Sequence, residues 1–297
     1  MTNPPTKPLK RWALRIARSA AIAVGCFYLI ACGALVATQN GVIYFPRAYD
    51  VALAGLGKQF VPLTFRTKQG AQTAFYIPPA EGERPDRLWV LFNGNGSQAL
   101  DWEDFVQRFP DPHAGFLLYD YPGYGYCEGT PSPGSVKEGS DGALAALGEK
   151  LNVGVAELES HMGVVGHSIG AGFGLEFAAR HPVERVVIIS PFTSLDDMAR
   201  RKVGWLFSWV LMTHLDNRAR LNELAARSHA PRVLLIHGTN DQIVPVAMGR
   251  ELAAAHPDMI TFVEVPKGDH SGIVFSSRSR SWQAMTEVLI ETEKVRQ

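Results

Sequence analysis

With 297 residues the chain is long for one domain, yet within the span of α/β folds that stay undivided, and it can bury a sizeable core. Its 29 basic and 29 acidic side chains balance, which removes the electrostatic case for a nucleic-acid partner or a strongly charged substrate. Cys26 and Cys32 lie in an apolar N-terminal run and Cys127 stands alone, so the chain assembles neither a disulfide framework nor a metal-ligand cluster, and no metal or cofactor is expected.

Residues 1–18 carry Lys7, Lys10, Arg11, Arg15 and Arg18 and no acid. Residues 19–38, "SAAIAVGCFYLIACGALVAT", follow without a charge. A helix of about 20 residues rises roughly 30 Å, the thickness of a bilayer's hydrocarbon core, so the run predicts a single transmembrane anchor. Positive charge on the leading side predicts a cytoplasmic N-terminus and a domain on the far, extracytoplasmic face. Two alternatives stand beside it. "LIACG" resembles the bacterial lipoprotein signal, which would attach lipid at Cys32, and the run also fits a cleaved secretory signal or a buried core helix. The bilayer is the expected partner in all the leading readings.

Residues 40–297 show no repeat, no low-complexity tract and no long linker, and are expected to form one domain. "FVPLTFRT" (60–67) and "TAFYIPP" (73–79) flank "KQGAQ" and predict a hairpin. Short apolar runs rich in β-branched residues follow: "LWVLF" (88–92), "FLLYD" (116–120), "MGVVG" (162–166), "VVIIS" (186–190), "VLLIH" (233–237) and "ITFVEV" (260–265). Between them "GALAALGEKL" (142–151) and "GLEFAARH" (174–181) have helical spacing, the latter stopped by Pro182. Strands alternating with helices predict βαβ units and a mostly parallel sheet covered on both faces, with ligands at the carboxyl ends of the strands.

One serine stands at such an end. In "GVVGHSIGAGFG" (163–174), Ser168 lies between a buried strand and a helix whose first turn is almost all small. A nucleophile on that sharp turn needs glycine at 166 and 170, because Cβ atoms there would collide with neighbouring elements. The following helix points its first amides at the reacting centre, so the amide of Ile169 is expected to bind an oxyanion. Serine requires a base and the base an orienting acid. "LLIHGTNDQIVP" (234–245) supplies Asp241 and "FVEVPKGDHSG" (262–272) supplies His270, each just past a strand and in the order serine, acid, histidine. His167 reads as structural, His237 as a packing histidine and Asp120 as a turn-fixing residue. Asp269 is too close in sequence to turn the ring of His270, and Asp196 and Asp197 read as helix-start acids. "VLFNGNGSQ" (90–98) offers a second oxyanion donor, the amide of Asn95, with Gly94 and Gly96 allowing close approach.

Jointly, "GVIYFP", "FNGNG", "LYDYPGYG" with "EGTPSP", "GHSIG", "SPFTSLDDMA", "HGTNDQIVP" and "GDH" resemble the α/β-hydrolases, in particular a membrane-anchored serine-hydrolase branch with depalmitoylase-like, monoacylglycerol-lipase-like and serine aminopeptidase-like members. The resemblance covers almost the whole chain after residue 40. It implies Ser168 as nucleophile, Asp241 as acid, His270 as base, and Asn95 with Ile169 as oxyanion donors. One departure is Asn93, where the family usually has histidine, and it bears on how the oxyanion loop is supported.

Residues 203–212, "VGWLFSWVLM", fall in an insertion of about 191–230 and are read either as a cap over the site or as a core helix. The expected function is a membrane-associated serine hydrolase of carboxylic esters or thioesters with an apolar acyl group. The alternatives are a serine peptidase of the aminopeptidase-like branch and a non-enzymatic membrane protein retaining the fold.

Overall fold

The computed structural model describes residues 7–82 and 84–275; residues 1–6 of the basic leader and 276–297 of the expected domain lie outside the described residues. The chain opens with helix α1 (Lys7–Ile43), 37 residues long and continuous through the uncharged run. Within it Arg11–Ile43 is long and apolar enough to cross a membrane, and almost none of it is buried.

After α1 come strands β1 (Val61–Thr67), β2 (Gly70–Ile77) and β3 (Arg87–Phe92), helix α2 (Glu103–Gln107), β4 (Ala114–Tyr119), α3 (Pro133–Leu151), α4 (Val155–Glu159), β5 (Met162–His167) and α5 (Ile169–Arg180). The second half holds β6 (Arg185–Ile189), α6 (Leu195–Val203), α7 (Trp205–Ser208), α8 (Asn217–Ala225), β7 (Arg232–Gly238), α9 (Val246–Ala255), β8 (Ile260–Val265) and α10 (Gly272–Phe275). The strands form one eight-stranded sheet in the order β1-β2-β4-β3-β5-β6-β7-β8. β2 runs antiparallel to β1 and β4, and every later pairing is parallel.

The hairpin forms where it was expected, Thr67 facing Gly70 across a two-residue turn. Its apolar alternation and the glycine at φ +108° both favour a tight reversal. The continuous apolar runs become central strands because both faces are covered. Alternate residues serve opposite cores: Val90, Val164 and Val186 pack with α3, α5, α8 and α9, whereas Trp89, Leu91, Val165 and Val187 pack with Trp102, Phe105 and Ile273 on the other side. α3 starts two turns before its predicted span, since Ser132 caps the amide of Ser135 and Pro133 sits in the first turn, where its missing N–H costs nothing.

Two strands end one residue short of the predicted runs. Ser190 adopts φ +50°, a left-handed conformation no strand continues through, so β6 stops at Ile189. Asp120 leaves the ladder at the end of β4 and its buried carboxylate bonds to the amide of Ala99 and the hydroxyl of Tyr49 instead. The tryptophan-rich stretch at 203–212 is not a core helix. Trp205 is 80% and Trp209 65% exposed, and the segment lies on the outside of the domain against α1.

Candidate active site

β5 delivers the chain to Ser168 from the centre of the sheet, and α5 begins at the next residue. Ser168 has φ +57° and ψ −119°, a strained conformation for a side chain bearing Cβ, and its amide is tied to the carbonyl of Ile189 at 2.9 Å. The sharp turn brings β3, β5 and α5 into near contact. A Cβ at Gly166 would lie 2.3 Å from the carbonyl oxygen of Gly170, and one at Gly170 would lie 2.2 Å from that of Phe92. Glycine at both positions is therefore a steric requirement, and it leaves Ser168 partly accessible while its neighbours are buried.

The loops after β7 and β8 converge on this serine. His270 Nε2 lies 2.9 Å from Ser168 Oγ, and His270 Nδ1 lies 2.7 Å from Asp241 Oδ2. With an N–H on Nδ1 facing the carboxylate, Nε2 is left as the acceptor for the serine hydroxyl, a tautomer assigned from these partners. Asp241 Oδ1 accepts from the amides of Ile243 at 2.9 Å and Val244 at 2.8 Å. Burial by itself would raise the pKa of Asp241; the hydrogen bonds from His237, His270 and Val244 outweigh it and hold the carboxyl well below the usual range. The acid is thus ionised and aimed at the imidazole.

Two further histidines surround the pair. His237, read from the sequence as packing, is wholly buried, donates through Nε2 to the carbonyl of Val244 at 2.9 Å, and keeps that nitrogen 3.3 Å from Asp241 Oδ2. It is a second imidazole on the same carboxylate. The signal was a histidine at the end of β7 four residues before the acid, which brings the two together when the loop curls back. His167, next to Ser168, bonds through Nε2 to the backbone carbonyl of His270 at 2.9 Å, so it positions the main chain that carries the His270 imidazole. Burial, helped by the nearby His270, pushes the pKa of His167 down to about 4 and keeps it neutral. Asp269 turns away to accept from the amide of Gly272 at 2.6 Å. Ser194 Oγ accepts from the amide of Asp197 at 3.0 Å, so Asp196 and Asp197 occupy the first turn of α6 beyond a serine cap.

The loop after β3 carries Asn95. Its carbonyl is held by the Tyr124 hydroxyl at 2.7 Å and the amide of Phe45 at 3.2 Å, which fixes the peptide plane on that side of the loop. Ile169 opens α5, where the first amides have no partner within the helix. Asn93 meets the support question raised by its departure from histidine. Its Nδ2 donates to the carbonyl of Tyr119 at 3.1 Å, its Oδ1 accepts from Trp102 Nε1 at 2.7 Å, and its own carbonyl accepts from the Tyr121 hydroxyl at 2.7 Å. A short amide with a donor and an acceptor ties three elements together with no unsatisfied group.

A family model described as alpha/beta hydrolase fold matches residues 90–213, from β3 through the turn at Ser168 to the segment after α7. An uncharacterized protein of Mycobacterium tuberculosis is 29% identical over 239 residues, 78% of this chain and 80% of its own length. The alpha/beta hydrolase domain-containing protein 17B of Xenopus laevis is 28% identical over 134 residues, 45% of this chain and 42% of its own length. Among solved structures, an esterase of Pyrococcus furiosus shares the fold with a TM-score of 0.61 at 16% identity, covering 84% of this chain and 96% of that one. The chain has the alpha/beta hydrolase fold.

Proposed function

We propose that the protein is a membrane-associated serine hydrolase that cleaves carboxylic esters or thioesters of apolar acyl groups through an acyl-enzyme. The observation that carries this reading is the hydrogen-bonded series Ser168–His270–Asp241 on a strained turn. In the first step Ser168 Oγ attacks the acyl carbon while His270 Nε2 takes the hydroxyl proton. The carbonyl π electrons move to the oxygen, which is received by the amides of Asn95 and Ile169. Collapse of the tetrahedral adduct expels the alcohol or thiol, which leaves with the proton from His270. Water then repeats the sequence: His270 removes a proton as the water oxygen attacks the acyl carbon, the new tetrahedral adduct collapses with cleavage of the acyl–Oγ bond, His270 returns the proton to Ser168 Oγ, and the carboxylic acid departs. Asp241 stays ionised throughout and stabilises the imidazolium formed in each half.

The membrane part of the reading is supported by where α1 ends. Only Tyr44 separates Ile43, its last residue, from Phe45, whose amide bonds to Asn95 on the oxyanion loop. On this reading the site meets substrates presented at a bilayer. The test is labelling of the full-length protein with a fluorophosphonate probe, followed by turnover of acyl esters and thioesters of graded chain length. Labelling is expected at Ser168, abolished in Ser168→Ala, with turnover rising with chain length. Undiminished labelling and turnover in Ser168→Ala would overturn the assignment.

A further inference from the structure

Four of the large apolar side chains exposed on the domain lie in one short stretch. Trp205, Leu206, Trp209 and Met212 are exposed at 80%, 44%, 65% and 70%, and no charge interrupts the chain from Gly204 to Met212. Single exposed hydrophobics mean little, but a contiguous cluster with two tryptophans marks an interaction surface. Its immediate neighbour is α1. The Phe207 ring lies 5.3 Å from that of Tyr28, Tyr28 Oη donates to the carbonyl of Leu206 at 2.7 Å, and Trp209 Nε1 donates to Tyr28 Oη at 2.6 Å. Further along, the amide of Met212 donates to Gln39 Oε1 at 2.7 Å.

Two features point to lipid as the occupant. First, the polar groups at this contact bond to each other although they lie at the surface: the Tyr28 hydroxyl, the indole N–H, the Leu206 carbonyl and the Gln39 amide are all paired within the protein. Water would satisfy such groups without help, whereas hydrocarbon does not, so internal pairing is what a lipid environment requires. Second, Arg200, Arg201 and Lys202 close α6 just before the apolar run and are exposed. Long basic side chains that reach back to anionic headgroups, next to tryptophan and aliphatics, compose an interfacial membrane element. A protein partner would be served equally well by the apolar cluster but has no use for its alignment with a helix of membrane-spanning length.

We infer that α7 and its flanks, residues 204–212, form a second membrane-embedded element that lies beside the outward half of α1. The inference rests on the reading of α1 as a membrane anchor. If residues 19–38 span the bilayer, Tyr28 is ten residues from the outer end, about 15 Å deep at 1.5 Å per residue, and Gln39 is at the surface. The contacts at Tyr28 and Gln39 then place the stretch along the outward leaflet. A domain held by one helix swivels, whereas a domain held by a helix and a docked aromatic turn keeps one face toward the bilayer.

The full-length protein reconstituted in vesicles of phosphatidylcholine and phosphatidylglycerol gives the test. Tryptophan emission is compared between wild type and the Trp205→Phe/Trp209→Phe variant, with and without lipids brominated on their acyl chains. The emission lost in the variant, which belongs to Trp205 and Trp209, is expected to fall with brominated lipid and to be shielded from aqueous acrylamide. Vesicle flotation is read in parallel. Protein that floats, with the Trp205 and Trp209 emission undimmed by bromine, overturns the inference while leaving the anchor in place. Protein that fails to float overturns both. Phenylalanine keeps the ring packing, and unchanged fluorophosphonate labelling of the variant verifies that it is folded.

Discussion

Replacing Gly170 by alanine tests whether the turn at Ser168 and the proposed oxyanion loop form one rigid unit. The new Cβ would sit 2.2 Å from the carbonyl oxygen of Phe92 and 2.5 Å from that of Asn93, both main-chain atoms at the end of β3. Neither can rotate aside, so α5 must lift away from β3 by roughly 1 Å to restore ordinary contact. The proposed donors lie on opposite sides of that seam: Ile169 is the residue before the substitution, and Asn95 is on the loop β3 feeds. Overpacking of this kind costs about 1–3 kcal/mol, with the upper end expected where only backbone can yield. Displacing one oxyanion donor costs on the order of 100-fold or more in kcat. Gly96→Ala is the matched control, since nothing lies within 4 Å of its added Cβ. Gly94→Ala falls between the two, its Cβ meeting His167 Nδ1 at 2.9 Å. The assay is kcat/KM on a soluble short-chain ester together with Tm for each variant. A Gly170→Ala protein with wild-type Tm and wild-type turnover would refute the argument that this approach is fixed by backbone.

Asp241→Asn should lower kcat by about 10^4-fold, because an amide N–H opposite two imidazole nitrogens disfavours the required tautomer, and steady-state kinetics on the same ester checks it. Stability against pH separates two buried groups by sign. Burial pushes His167 down to about 4 from 6.5, so its folded form binds a proton later than the unfolded chain, and it adds stability as pH rises from about 4 to 6.5. Burial pushes Asp120 up to about 7 from 3.8 against the hydrogen bonds of Ala99 and Tyr49, so its folded form binds more protons, and stability falls as pH rises from about 4 to 7. Relative to wild type, Tm plotted against pH should therefore slope more steeply upward in Asp120→Asn and more steeply downward in His167→Gln; equal slopes in all three would contradict it. For the anchor, the full-length chain should fractionate with membranes and Cys32→Ser should leave that unchanged, since α1 runs unbroken through Cys32; loss of membrane retention in the variant would mean that lipid on Cys32 holds the protein.

The parallel sheet was legible because a strand buried on both faces has to be apolar at consecutive positions, and six such runs separated by helical spacing leave few other folds. The serine turn was legible for a steric reason, since the glycine at 166 is imposed by backbone within that segment, while the one at 170 answers to the main chain at the end of β3. What the sequence concealed are contacts made across the fold. His237 looks apolar-packed from its strand, and only the curl of the following loop brings it to the carboxylate it shares with His270. Asn93 looked like a missing histidine, yet Tyr119, Trp102 and Tyr121 arrive from other elements to use each of its polar atoms. The stretch 203–212 has the composition of a core helix, and composition is blind to whether the apolar neighbour is protein or lipid; its exposure beside α1 had to be seen.

The connection between α1 and the proposed site is short enough to have mechanical meaning. Tyr44 is buried, its ring stacked 6.4 Å from Phe173 on α5, the helix that carries Ile169 at its start. The next residue, Phe45, donates its amide to both the Tyr124 hydroxyl at 2.9 Å and the carbonyl of Asn95 at 3.2 Å. Arg47 follows with Nη1 on the carbonyl of Gly96 at 3.1 Å, while its own carbonyl accepts from Gln98 Nε2 at 2.9 Å. Tyr44, Phe45 and Arg47 thus line the loop that carries Asn95 on one side and brace α5 on the other. A linker that only tethered a domain to a membrane would be polar and free of such contacts. Here the first residues after α1 are part of the wall that holds the Asn95 peptide in place, so the geometry of the proposed oxyanion site and, on the proposed reading of α1 as an anchor, the position of the domain at a bilayer are set by the same three residues.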